Sequence, residues 1–123
     1  MAVIAPTITE IGRGDGSTLR VVWTPVSEAD TCAPVAMSDY ADKSIHVFGT
    51  FGSGTVALHG SNDNGANYAA LNDPGGTVIG IATAAKIKAV LENTEWIKPV
   101  TSGGTGQSLS VAVVARLANP MRT

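Results

Sequence analysis

The sequence predicts an all-β protein, an antiparallel β-sandwich or jelly roll with an extended N-terminal arm. Three observations predict this class: apolar and polar residues alternate in short runs, turn-forming residues separate the runs, and seven or eight strand-length segments follow at close spacing. At 123 residues the chain is long enough for a single core. We therefore expect one β-domain over residues 17–123, preceded by an arm over residues 1–16.

The low charge of the chain argues against several functions. Only 15% of residues are charged and the net charge is −2, which suits a protein that packs against partners. Basic residues form no cluster for nucleic acid, and no apolar run approaches the ~20 residues of a membrane span. The first residues lack the features of a secretory signal, so we expect no export. The single cysteine, Cys32, is predicted to be a small apolar filler.

The arm is predicted from β-forming residues that proline and glycine interrupt. Pro6 breaks the segment and the glycine-rich run at 12–16 ends it, because neither suits a regular element. An extended arm of this kind can add a strand to a partner's exposed sheet edge and bury alternate side chains. The predicted anchors are Val3, Ile4, Ile8 and Ile11.

The strands follow from alternation and from the turn residues between them. Residues 19–24 form the first strand, and residues 25–43 are predicted as a long excursion with one short helical turn, because they lack strong periodicity. The segment around Lys86 and Lys88 also fits a helix, but a strand with both lysines facing water is preferred. Pro99 lacks a backbone donor, so its strand must lie at an edge or carry a bulge. The remaining strands are predicted at residues 44–51, 54–60, 67–71, 77–81, 86–91, 96–101 and 108–117.

Two hairpins are predicted from turn residues. Gly52-Ser53 separates two alternating runs in the manner of a primed two-residue turn, so the strands on either side are predicted to pair. This pairing makes His46 and His59 direct cross-strand neighbours, with Cβ atoms ~5 Å apart. The same reasoning predicts a second hairpin across the glycine-rich loop at 103–106.

The histidine pair has three interpretations. The two imidazoles could share a zinc ion, repel one another once protonated and weaken the sheet in acid, or form an incidental surface pair. No third ligand is evident in the sequence, so neither a metal nor a cofactor is predicted. No serine, cysteine or carboxylate pair has a histidine at a convincing offset, so no catalytic residue is predicted and we do not expect an enzyme.

The segment from Ser61 to Tyr68 has the pattern Ser-x-Asp-x-Gly-x-x-aromatic. It resembles the Asp-box turn of sialidase-type propellers and the corresponding turn of discoidin-like sandwiches. The resemblance implies a structural turn in which Asp63 caps backbone amides, Gly65 adopts a positive φ and Tyr68 plugs the core. A calcium or sugar contact is the alternative, because Asn and Asp oxygens crowd this tip.

Three stretches of the chain, residues 49–63, residues 96–104 and the closing strand to Leu117, resemble small virion proteins of tailed bacteriophages. The likeness is to capsid decoration or cement proteins and lies within residues 45–117. It implies a structural protein without catalysis that binds the outer surface of the phage head and clamps neighbouring capsomers. The implied partners are the major capsid protein and further copies of the chain, as a dimer or trimer, on the capsid exterior after synthesis in the host cytoplasm.

Two other function classes stay open. A carbohydrate-binding module of the discoidin or lectin kind would use the loop from Asn62 to Asn67, with an aromatic residue, to bind a surface glycan. A zinc-dependent hydrolase would centre on His46 and His59. Glycan binding that is lost in Asp63→Ala would favour the first, and stoichiometric zinc in purified protein would favour the second.

Overall fold

The structure is a computed structural model that describes residues 2–11, 17–27 and 29–117. It confirms the predicted all-β class, because two five-stranded sheets face each other as a sandwich and these ranges contain no helix. None of the described segments forms a helix that could cross a membrane. The strands are β1 (Val3–Ile4), β2 (Thr7–Glu10), β3 (Thr18–Val26), β4 (Thr31–Cys32), β5 (Val35–Ala36), β6 (Tyr40–Thr50), β7 (Gly54–Ser61), β8 (Ala69–Ala70), β9 (Gly80–Ala82), β10 (Lys86–Ala89), β11 (Trp96–Gly103) and β12 (Ser108–Leu117).

The two sheets share one core. The first sheet has the order β10-β6-β12-β3-β2, and the second has the order β5-β11-β7-β8, with β9 also paired to β7. Each long strand alternates buried and more exposed side chains, so one face of each sheet points inward. β12 has the bounds that the sequence predicted and lies in the middle of the first sheet. Fully buried core side chains include Trp23, Ile45, Leu58, Ile97 and Val111.

Both predicted hairpins are wrong, because each pair of strands is divided between the two sheets. β6 pairs with β10 and β12, whereas β7 pairs with β11, β8 and β9. The turn at Gly52-Ser53 is tight, with Gly54 N donating to Phe51 O at 2.8 Å, but it carries the chain from one sheet to the other. The loop at 103–106 likewise joins β11 to β12 across the sandwich. The turn signature is local, and burial of both apolar faces from opposite sides of the core decides the pairing.

The two connections pack against each other at one end of the sandwich. Thr105 N donates to Gly52 O at 2.8 Å, and a Cβ at Gly52 would overlap the Thr105 carbonyl. Gly52 has a φ of +55°, in the left-handed region that favours glycine. We call residues 51–54 and 103–107 the arch pair.

Residues 25–43 form short strands and turns instead of the predicted excursion with a helical turn. β4 and β5 lie in this segment, and β6 already begins at Tyr40. Trp23 Nε1 donates to Ala33 O at 2.8 Å, which fixes the segment against the core. The prediction of a helical turn is wrong because β4 and β5 pair with strands distant in the sequence, β1 and β11. Local periodicity does not reveal such partners.

Two further strand predictions are confirmed. β10 contains Lys86 and Lys88, so the strand interpretation of that segment is correct. β5 pairs with β11 only at Trp96 and Ile97. Pro99 therefore lies where β11 is paired on one side, as its missing donor requires.

The segment predicted as an arm supplies two edge strands in the described structure. β1 lies parallel to β4, and β2 is antiparallel to β3 at the edge of the first sheet. Ile4 packs against the core and Ile11 is half-buried, whereas Val3 and Ile8 are 69% and 52% exposed. The end of the predicted arm, residues 12–16, lies outside the described residues.

Candidate functional site

The two histidines lie on opposite outer faces of the sandwich. His46 pairs with Ala112 in the first sheet. His59 pairs with Lys98 in the second sheet, where burial and the lysine charge lower its pKa. Their strand neighbours point into the core, so the two imidazoles point away from it in opposite directions. The predicted cross-strand pair is wrong because it depended on the hairpin, and the two rings can neither share a zinc ion nor repel one another as neighbours.

The Asp turn, residues 61–68, is built on the side chain of Asp63. Asp63 Oδ1 accepts hydrogen bonds from Ala66 N at 3.1 Å and Asn67 N at 2.9 Å. The Ser61 hydroxyl donates to Oδ1 at 2.7 Å, and Asn67 Nδ2 donates to Oδ2 at 2.6 Å. The bonds from Asn67, followed by the bond from Ser61, lower the pKa of Asp63 to about 2. The carboxylate is therefore charged at neutral pH and holds the turn closed.

Gly65 completes the Asp turn as expected, but the expectation that Tyr68 plugs the core is wrong, because Tyr68 is half-buried beside the turn and lies outside the core cluster. Gly65 has a φ of +84°, and its N donates to the Ser61 hydroxyl at 3.1 Å. The Tyr68 hydroxyl is buried under Gly65 and has no hydrogen-bond partner among the described residues. Lys98 Nζ lies 4.3 Å from the centre of the Tyr68 ring, which fixes one face of the ring by a cation–π contact. Burial, with the charge of Asp63, raises the pKa of Tyr68, so the hydroxyl stays neutral.

A strap, residues 90–95, crosses beside the Asp turn. Glu95 N donates to Asn62 Oδ1 at 3.0 Å, and Asn64 N donates back to Glu95 Oε1 at 2.8 Å. The Glu92 carboxylate accepts from both the backbone N and the side-chain Nδ2 of Asn72, each at 2.7 Å. These bonds lower the pKa of Glu92, so it too is charged at neutral pH.

Lys43 anchors the strap from the first sheet. Its side chain is only 2% exposed, and its Nζ donates to Asn93 Oδ1 at 3.1 Å and to Tyr40 O at 3.2 Å. Burial lowers the pKa of Lys43. Sequence reasoning missed this residue. The signal was available, because Lys43 continues the inward alternation of Ile45 and Val47.

A cleft of about 480 Å³ opens between the Asp turn, β8 and the strap. Carboxylates and amides lie on its polar sides, whereas the Tyr68 ring and the end of β8 provide an apolar wall. We call this space the Asp-turn cleft. Its lining includes Asn62, Asp63, Asn67, Tyr68, Ala69 and Glu92.

Cys32 lies beside a smaller cavity of about 130 Å³ that Lys98 and Thr101 also line. Burial raises the pKa of the Cys32 thiol to about 11, so the thiol is protonated at neutral pH. A protonated, buried thiol packs as a small apolar side chain.

Two facing sheets that share one core and are joined by arches place the chain in the class of β-sandwich proteins. Among solved structures, its fold is similar to that of the SPBc2 prophage-derived protein YomS, with a TM-score of 0.60 and 8% identity. The similarity covers 80% of this chain and 93% of YomS. At this identity it shows a common fold.

A second solved structure is less similar. The Escherichia coli ribosomal oxygenase YcfD aligns with a TM-score of 0.39 and 9% identity, over 92% of this chain and 24% of YcfD. That likeness is too low to support an argument. No protein-family model and no curated protein matches the chain.

Proposed function

We propose that this chain is a structural virion protein of a tailed bacteriophage. It binds the outer surface of the phage head, contacts the major capsid protein, and stabilises contacts between capsomers as a homo-oligomer. Two observations support the proposal: the chain resembles decoration proteins within residues 45–117, and its β-sandwich is similar to that of a prophage-derived protein.

The edge strand β2 carries the proposal. β2 pairs with β3 on one side, and all four of its residues are exposed. A strand from the shell protein can add to the other side of β2, where backbone groups lack a ladder partner within the described sheet. Ile8 projects from the middle of β2 with 52% of its surface exposed, and a partner strand would cover it.

The opposite edge of the same sheet is less suited to strand addition. β10 carries Lys86 and Lys88, and lysines at an edge discourage pairing because an added strand would desolvate their charges. Lys88 Nζ is also held 3.4 Å from Asp73 Oδ2. β2 carries no lysine, so it is the better docking edge of the two.

Each contact is expected to be weak. Completing the burial of Ile8, or of Val3 near it in the chain, contributes roughly 1 to 2 kcal/mol per side chain before ordering costs. Repetition of such contacts over the symmetric shell would then supply the avidity.

The test compares Ile8→Lys with Ile87→Lys. Both isoleucines are exposed on edge strands of one sheet, at 52% and 62%, so the two substitutions add the same charge at opposite edges. Heads of the phage that encodes this chain, prepared without it, are mixed with each variant and its occupancy is measured by cryo-electron microscopy. We expect Ile8→Lys to lose at least about tenfold in occupancy-derived affinity, which is ~1.4 kcal/mol, and Ile87→Lys to bind like the natural chain.

Two results would contradict the proposal: failure of the natural chain to bind the heads, or equal binding by the two variants. Deletion of the whole segment is a poorer test, because removing β2 uncovers β3 and removing Ile4 opens the core.

A further inference from the structure

We propose that the Asp-turn cleft binds a neutral, hydroxyl-rich ligand such as a hexose or N-acetylhexosamine unit. This activity goes beyond head binding and does not depend on it. The cleft volume of about 480 Å³ lies within the usual range of small-molecule sites.

The polar sides of the cleft offer both acceptors and donors. Asp63 and Glu92 are carboxylates that are charged at neutral pH. The turn fully uses Asp63 Oδ1, but Asp63 Oδ2 takes one bond from Asn67 and each Glu92 oxygen takes one from Asn72, so these three oxygens can accept another. Within the described residues, Asn62 Nδ2 and Asn67 Oδ1 have no hydrogen-bond partner, since only the other amide atom of each is engaged. A sugar hydroxyl both donates and accepts, so it can bond to carboxylates and amides together.

The apolar wall of the cleft suits the carbon face of a sugar ring. Tyr68, Ala69 and Ala70 line this wall. The Tyr68 ring is held in place by Lys98 on one face and by the burial of its hydroxyl under Gly65. A wall that is already fixed costs little conformational entropy when a ligand packs against it.

The charge of the cleft selects against anions. None of the described residues that line it is basic, and its two carboxylates outnumber the one ammonium nearby, that of Lys98 on the Tyr68 ring, so they repel a third negative group. Neutral sugars should therefore bind better than acidic sugars of the same size.

The experiment uses the full chain and saturation-transfer NMR with glucose, galactose, mannose and N-acetylglucosamine, beside sialic and glucuronic acids. Ala69 is exposed on β8 and lines the cleft, so Ala69→Phe fills the space. Ala85 is exposed before β10 in the other sheet, so Ala85→Phe is the matched control. We expect a neutral sugar to bind in the millimolar range to the natural chain and the control, and at least about tenfold more weakly to Ala69→Phe.

Four results would overturn the site: no neutral sugar binds, Ala69→Phe binds as well as the natural chain, acidic sugars bind best, or a chelator abolishes binding and calcium alone replaces the sugar. If Ala69→Phe loses its fold by circular dichroism, Glu92→Gln takes its place. Glu92→Gln keeps one acceptor oxygen for Asn72 but removes the charge. It should weaken sugar binding while lowering Tm less than Ala69→Phe does.

Discussion

At the scale of single residues, Asp63 accepts hydrogen bonds from four groups on three neighbours, and all of them lie within four residues in the chain. A short polar side chain followed by a glycine with positive φ can close such a turn without help from the rest of the fold. The negative charge of Asp63 strengthens the turn, because all four groups donate hydrogen bonds to its carboxylate oxygens.

The Asp turn should make stability fall in acid. An ordinary aspartate, as in the unfolded chain, has a pKa of 3.8, and the folded value is about 2. The folded chain holds this proton less tightly, so the contribution is complete above pH 3.8 and is lost as pH falls toward 2. Asp63→Asn should therefore lower Tm by a few degrees at pH 7, and the difference from the natural chain should shrink across that window.

Thermal unfolding followed by circular dichroism between pH 2 and 7 measures this effect. Asp39→Asn, at an exposed position in the turn before β6, is the control and should lower Tm at pH 7 by less than Asp63→Asn does. If the Asp63→Asn difference stayed constant over the whole range, the carboxylate charge would have no part in the turn.

At the scale of elements, the arch pair joins the two sheets at one end of the sandwich. Phe51 is 6% exposed, so the first arch inserts its own apolar side chain at the end of the core. The hydrogen bond from Thr105 N to Gly52 O then joins the two arches. Close packing of backbone on backbone requires glycine at this contact.

Gly52→Ala should destabilise the fold more than Gly76→Ala. Both glycines have positive φ, +55° and +86°, but only at Gly52 would a Cβ overlap backbone, whereas nothing lies within 4 Å at Gly76. The shared backbone cost is about 1 to 2 kcal/mol, and the overlap adds roughly 1 to 3 kcal/mol at Gly52 alone. Urea denaturation of both variants measures the difference. Equal losses would mean that the arches can separate without cost.

The elements also show how far the sequence could be interpreted. The positions of the long strands were predictable, β12 to the residue, because alternation and turn residues are local signals, whereas the short strands β4 and β5 were missed. The pairing of the strands was not predictable, because the same two-residue turn can connect neighbouring strands of one sheet or strands of two facing sheets. The Asp turn was predicted from its resemblance to the Asp box, and its bonds join residues close in the chain. The strap contacts could not be predicted, since Asn62 to Glu95 spans 33 residues and Lys43 to Asn93 spans 50.

At the scale of the whole molecule, the strap ties the two sheets together. Val90 N donates to Lys43 O in the first sheet at 3.0 Å, while Glu95 N bonds to Asn62 beside the second sheet. Lys43 is buried at the first of these attachments, and no carboxylate of the described residues forms an ion pair with it. Its packing and its charge should therefore have opposite effects on stability.

Replacing Lys43 should separate these two effects. Lys43→Ala leaves a cavity and should cost about 2 to 4 kcal/mol. Lys43→Met keeps the volume and removes a buried charge, so it should change the free energy of unfolding by less than about 1 kcal/mol.

In the natural chain the lowered pKa of Lys43 opposes folding at neutral pH. The free energy of unfolding should therefore rise as the pH increases toward 10.5, the ordinary pKa of lysine. Chemical denaturation from pH 7 to 10.5 checks both points, and a Lys43→Met loss equal to that of Lys43→Ala would show that the charge is needed.

The central position of β12 in the first sheet has a consequence for synthesis of the protein. The first sheet combines β2, β3, β6 and β10 with β12, and all the strands of the second sheet come between β3 and β12 in the chain. A nascent chain that stops before residue 108 therefore lacks the strand that lies between β6 and β3. We therefore expect the core to close only after β12 has left the ribosome, because β3 and β6 have no strand between them before that.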